Sequence, residues 1–126
     1  MRMMLKTDGI PMWVTLFALI VLVFGCVLGL TAMLGRGMDP LMSVPWGGRH
    51  LGLGFAAGAA VLLKSPTAYI AAFIGGASRD VGDLIAELGK SEPSAGILIG
   101  ILVFLIPGIL GILAANRARR QNVGAP

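Results

Sequence analysis

The sequence predicts an all-α membrane protein, a four-transmembrane-helix bundle with short loops and both termini cytoplasmic. Three observations lead there. The 126 residues are 56% hydrophobic and only 13% charged, whereas ordinary soluble domains carry about 25% charged residues. Mean hydropathy is +0.88, and two long stretches, residues 11–34 and 95–115, contain no charged side chain. The third is the arrangement of glycine, proline and basic residues, which divide the rest into two further helices. A chain of this length and composition forms a single transmembrane domain, residues 1–126.

The first helix covers about residues 10–35. Its uncharged run, at about 1.5 Å per residue, spans a hydrocarbon core of about 30 Å with some tilt. Pro11 suits a first helical turn and Trp13 an aromatic belt. Met1 to Lys6 followed by this run resembles a signal peptide, but the apolar segment is too long and no A-x-A site follows, so it reads as a retained anchor. Gly25 and Gly29 form a GxxxG pair that lets a second helix approach closely.

Residues 35–47 collect glycine, two prolines and a charge of each sign, which reads as an interfacial loop with Trp46 marking its return to the membrane. The second helix is expected over 47–64. Gly48, Gly52, Gly54 and Gly58 suit it to contacts with other helices, and Lys64 can snorkel to the headgroups. Lys64-Ser65-Pro66 is a turn, and Tyr69 lies near the same interface.

The third helix, about 66–89, carries the charges. On a wheel of 100° per residue, Tyr69, Ala72, Gly75, Gly76, Arg79, Asp80, Asp83 and Glu87 share one side. Ile70, Phe73, Ile74, Val81, Leu84, Ile85 and Leu88 share the other. A loop at 89–94 precedes the fourth helix, about 95–116, where Pro107 predicts a kink. Residues 117–126 are expected to be a disordered tail. Arg2, Lys6, Lys64, Arg117, Arg119 and Arg120 gather on one side, against Arg36, Arg49 and Lys90 diluted by Asp39 and Glu92. That asymmetry puts both termini in the cytoplasm.

This topology brings Arg49 and His50 of the second helix to the depth of Arg79, Asp80, Asp83 and Glu87 on the third. Arg79 and Asp83 have the spacing of an ion pair, and Asp80 is placed to take a partner such as Arg49. One reading is a polar pocket open to the outer side, a ligand or proton site. The other is a charge network that locks the two helices together.

Several classes are excluded or weakened. Basic residues scattered at helix ends do not make a nucleic-acid stripe. One cysteine, Cys26, allows no internal disulfide or CxxC motif, and one histidine makes a metal or haem site improbable. Gly75-Gly76 lacks the strand and GKS/GKT of a phosphate loop and reads, like Gly25 and Gly29, as a helix-packing pair. No triad or HExxH spacing is present, so no catalytic residue, cofactor or metal is assigned.

Gly48-Arg49-His50-Leu51-Gly52-Leu53-Gly54 and Gly75-Gly76-Ala77-Ser78-Arg79-Asp80, set after a first loop containing Asp-Pro, resemble the small four-helix DoxX-like membrane proteins. The resemblance implies a bacterial inner-membrane bundle with Arg49 and Arg79 as its matching polar positions, and a link in some relatives to quinone-dependent respiratory complexes. The functional expectation is a non-enzymatic accessory or scaffold subunit, partnered by lipid and by other membrane subunits or further copies of the chain. The alternatives are a small proton- or ion-coupled transporter working through Asp80, Asp83 and His50, or a quinone-linked respiratory component.

Overall fold

The computed structural model describes residues 9–35 and 40–124. Among these the chain is all-helical, with four helices and no strand: α1 (Met12–Met33), α2 (Pro40–Leu63), α3 (Pro66–Leu88) and α4 (Ala95–Val123). Arg2 and Lys6 in the basic start, and Arg36 and Asp39 in the first loop, lie outside the described residues.

Two expected boundaries are corrected. Helix α2 begins at Pro40 rather than near 47. Proline is well suited to a first helical turn, where its missing N–H has no partner to lose, and Pro45, still near the start, forgoes a single backbone bond. Helix α4 does not end near 116 but runs on to Val123, so most of the expected disordered tail is helical. Its 29 residues make it about 43 Å long, more than a hydrocarbon core requires. Other boundaries follow local chemistry. Gly35 adopts φ +74 just after α1, a left-handed conformation glycine takes without steric cost, and its N–H bonds Ala32 O at 2.9 Å. The hydroxyl of Ser94 accepts from Ile97 N at 3.4 Å and caps α4.

Successive helices run antiparallel, because the start of α1, the end of α2, the start of α3 and the end of α4 share one core. Val14, Ala18, Ala60, Tyr69, Ala115 and Ala118 meet there. Tyr69, near the start of α3, is fully buried in this core, with its hydroxyl 3.2 Å from Thr15 Oγ1. Helix α1 packs chiefly on α2 and α3 on α4, so the bundle is two hairpins. The hairpins touch through α2 and α3, while α1 and α4 share few contacts.

The α1–α2 seam is made by glycines. A Cβ on Gly25 would lie 2.6 Å from the His50 carbonyl oxygen and 2.8 Å from Gly54 Cα, and one on Gly29 would lie 2.8 Å from the Gly47 carbonyl oxygen. Gly54 packs on the same seam, Gly58 sits against Leu22, and Gly75 sits against Leu53. Gly48, Gly52 and Gly76 make no such close contact within the bundle: a Cβ on any of the three meets nothing within 4 Å. Helix α3 is also oriented as its wheel requires, with Tyr69, Ala72, Asp80 and Glu87 buried while Ile74, Val81, Ile85 and Leu88 face outward. Phe73 departs from the wheel and is buried against Gly111 of α4.

Substituting Gly25→Ala therefore pushes a methyl into backbone and is expected to destabilise the fold by about 1–3 kcal/mol. Gly52→Ala should leave stability unchanged or slightly raised, since helical glycine is disfavoured by about 1 kcal/mol relative to alanine. Denaturant unfolding of both variants in detergent checks the contrast.

Candidate functional site

Away from the shared core the two hairpins separate, and a cavity of about 700 Å³ opens between them. All four helices line it. One part of the wall is apolar and aromatic, with Phe17 and Phe24 from α1, Leu53 from α2, Phe73 from α3, and Ile101 and Phe104 from α4. The rings of Phe24 and Phe104 lie 5.5 Å apart, edge to face, across the sparsely packed α1–α4 side. Phe17 joins them, 5.6 Å from Phe73 and 6.3 Å from Phe104. The other part of the wall is polar: Trp46, His50, Arg79, Asp80, Asp83, Glu87 and Lys90.

The charges form two groups. In the first, Asp80 Oδ1 accepts from Arg79 Nε at 2.9 Å and from Arg79 Nη2. Arg79 Nε also lies 3.8 Å from Asp83 Oδ2, and Arg49 Nη2 donates to Asp83 Oδ1 at 3.3 Å. Asp80, Arg79, Asp83 and Arg49 thus alternate in sign along one ladder. In the second group, Glu87 takes Lys90 on Oε2 and the backbone N–H of Ser94 on Oε1 at 2.8 Å.

The sequence-assigned residues are therefore gathered at one end of the cavity, with their partners partly rearranged. The spacing of Arg79 and Asp83 does bring them together. Arg49 pairs with Asp83 rather than Asp80, and it stands half exposed at the edge, outside the cavity lining. Asp80 takes its partner from its own helix. Glu87 is tied to the α3–α4 loop and has no arginine partner among the described residues.

His50 is held from within α2. Its Nδ1 lies 2.8 Å from the Trp46 carbonyl oxygen, and its ring lies 3.7 Å from the Trp46 ring, centroid to centroid. A carbonyl can only accept, so Nδ1 carries the proton and Nε2 of the neutral ring is an acceptor. Trp46, expected to mark the interface, thus supports His50. An aromatic four residues before a histidine, on a helix extended back to Pro40, is the signal that was available.

No protein-family model, curated protein or solved structure matches the chain.

Chemically, the site can hold a molecule of drug-like size, for which cavities of about 300–1,000 Å³ are usual. Its polar end can donate from arginine and accept on carboxylate or imidazole. Three glycines of the wall, Gly76, Gly100 and Gly108, face open space at their Cβ positions. Their lack of side chains maintains the volume rather than permitting helix contact.

The buried and the half-exposed ion pair are expected to respond differently to substitution. Asp80→Ala leaves the largely buried Arg79 with only its longer, 3.8 Å contact to Asp83 and should destabilise the fold by up to about 3–5 kcal/mol. Arg49→Ala removes a half-exposed pair and should cost under about 1 kcal/mol. Thermal melts of the two variants side by side make the comparison.

Proposed function

We propose that all four helices cross the membrane and that the protein is a non-enzymatic binder of a small amphiphilic molecule, held in the cavity between the hairpins. The observation that carries this reading is the orientation of α3. Its apolar residues face outward, Ile85 with 67% exposure, while its charged residues face a cavity. Water would favour the reverse, whereas lipid favours this arrangement. Helices α1 and α4 are each long and apolar enough to cross a membrane, and α2 and α3, at 24 and 23 residues, match them in length. The basic clusters support cytoplasmic termini in a bacterial inner membrane. The DoxX-like resemblance accords with this reading through Arg49 and Arg79, both of which belong to the charge ladder.

A second reading, the accessory subunit of a membrane complex, is favoured by Gly48 and Gly52. These lie on α2 with open space at their Cβ positions, where a further helix can approach. The two readings are compatible, since that surface and the cavity are formed by different residues.

Span number and orientation are tested with single cysteines introduced into a Cys26→Ser background. In intact cells a membrane-impermeant maleimide should label Ser91→Cys in the α3–α4 loop, leave Ile85→Cys unlabelled, and reach Gln121→Cys only after permeabilisation. Labelling of Gln121→Cys in intact cells would overturn the assigned orientation.

Binding is tested by native mass spectrometry of protein gently extracted from membranes. The wild type should retain a non-covalent adduct that Gly76→Leu/Gly100→Leu, which fills the cavity and leaves every ion pair in place, has lost. Bare protein in both samples, or the same adduct in both, counts against the cavity as a binding site.

A further inference from the structure

We infer that the ligand of this cavity is an uncharged amphiphile with a hydroxyl-bearing head, seated on His50, Asp80 and Arg79, with its apolar body among the phenylalanines. This rests on the cavity-binding reading above and adds the chemical class.

The head is specified by what the polar wall leaves unused. Both bonds from Arg79 go to Oδ1 of Asp80, and Oδ2 takes no hydrogen bond from the described residues. His50 uses Nδ1 on the Trp46 carbonyl, and Nε2 likewise has no partner among them. The two residues are 4% and 8% exposed, and both line the cavity. No fully buried side-chain nitrogen or oxygen among the described residues lacks a partner, so these two acceptors, one on each side of the α2–α3 contact, are accessible atoms on otherwise largely buried residues, free to take a donor from a bound molecule. Arg79 has five N–H bonds, of which the Asp80 contacts use only some, so donors remain beside those acceptors. A hydroxyl both donates and accepts, and it satisfies this combination.

Charge excludes the ionic alternatives. Arg49, Arg79 and Lys90 are matched by Asp80, Asp83 and Glu87 through the contacts described, so the polar end is neutral when His50 is neutral. An ammonium or sulfate head would add an uncompensated charge at the edge of an apolar cavity, a burial that costs several kcal/mol. The body is specified by Phe17, Phe24, Phe73 and Phe104, which favour an aromatic or unsaturated skeleton through edge and offset ring contacts. The volume kept open at Gly76, Gly100 and Gly108 accommodates it. The thinly packed α1–α4 side, bridged by the Phe24 and Phe104 rings, is where such a molecule would enter from the bilayer.

Trp46 provides a native reporter. In Trp13→Phe protein it is the sole tryptophan, since the chain has two. Its emission is titrated in vesicles with 4-octylphenol, 4-octylanisole, octyltrimethylammonium and octyl sulfate, each corrected for partition into protein-free vesicles. The phenol should bind about tenfold or more tightly than its methyl ether, the worth of one good hydrogen bond, and more tightly than either ion. His50→Phe should narrow the gap between phenol and ether. Gly100→Leu, which leaves the polar wall intact, should weaken every probe, and it keeps the test informative if His50→Phe does not fold. Equal binding of phenol and ether, or a preference for either ion, overturns the assigned class and leaves the cavity reading standing. No binding of any probe overturns both.

Discussion

A carboxylate enclosed by apolar helices requires a cation against it, and much of this architecture follows from that requirement. Asp80 is nearly buried, and Arg79 beside it supplies the charge from the adjacent position on α3. Because Arg79 also reaches Asp83, one turn on, and Asp83 reaches Arg49 on α2, the ladder ends by joining the two hairpins. The one ion pair between hairpins among the described residues thus stands at the edge of the cavity, half exposed. It is weak by virtue of its exposure, whereas Arg79 and Asp80 are strongly committed by burial.

The two ends of the bundle are built from different materials. At the closed end, alanines and the Thr15–Tyr69 contact let four helices converge closely. At the open end, aromatic rings and paired charges occupy the wall. Helix α3 links the two regimes, with Tyr69 in the first and Asp80 in the second, one face of a single helix serving both.

Much of the fold was legible in the sequence because the forces concerned are periodic. The uncharged runs gave α1 and the body of α4, and the wheel gave both the extent of α3 and its buried face. The start of α2 was not legible. Its two prolines normally break helices, and only their confinement to the first turns makes them tolerable. The charged end of the site was found by spacing along α3, but the partner of Arg49 was not, because a choice between Asp80 and Asp83 depends on helix rotation that no one-dimensional pattern encodes. The packing partners of Tyr69 and Trp46 were not legible, for a shared reason. An aromatic near a helix end serves an interface or a core equally well, and only tertiary packing distinguishes them. Small-residue spacing likewise marks close contact, outward-facing surface and cavity wall without discriminating among them, which is how Gly76 came to be grouped with Gly25.

The cavity glycines have an evolutionary consequence. Each glycine codon is one nucleotide change from an alanine codon, so Gly76, Gly100 and Gly108 offer three independent positions at which the chamber can shrink by a methyl group. None of the three touches the α1–α2 seam or carries a rung of the charge ladder. Descendants of this chain can therefore drift in the size of molecule they accommodate while keeping the frame that holds it.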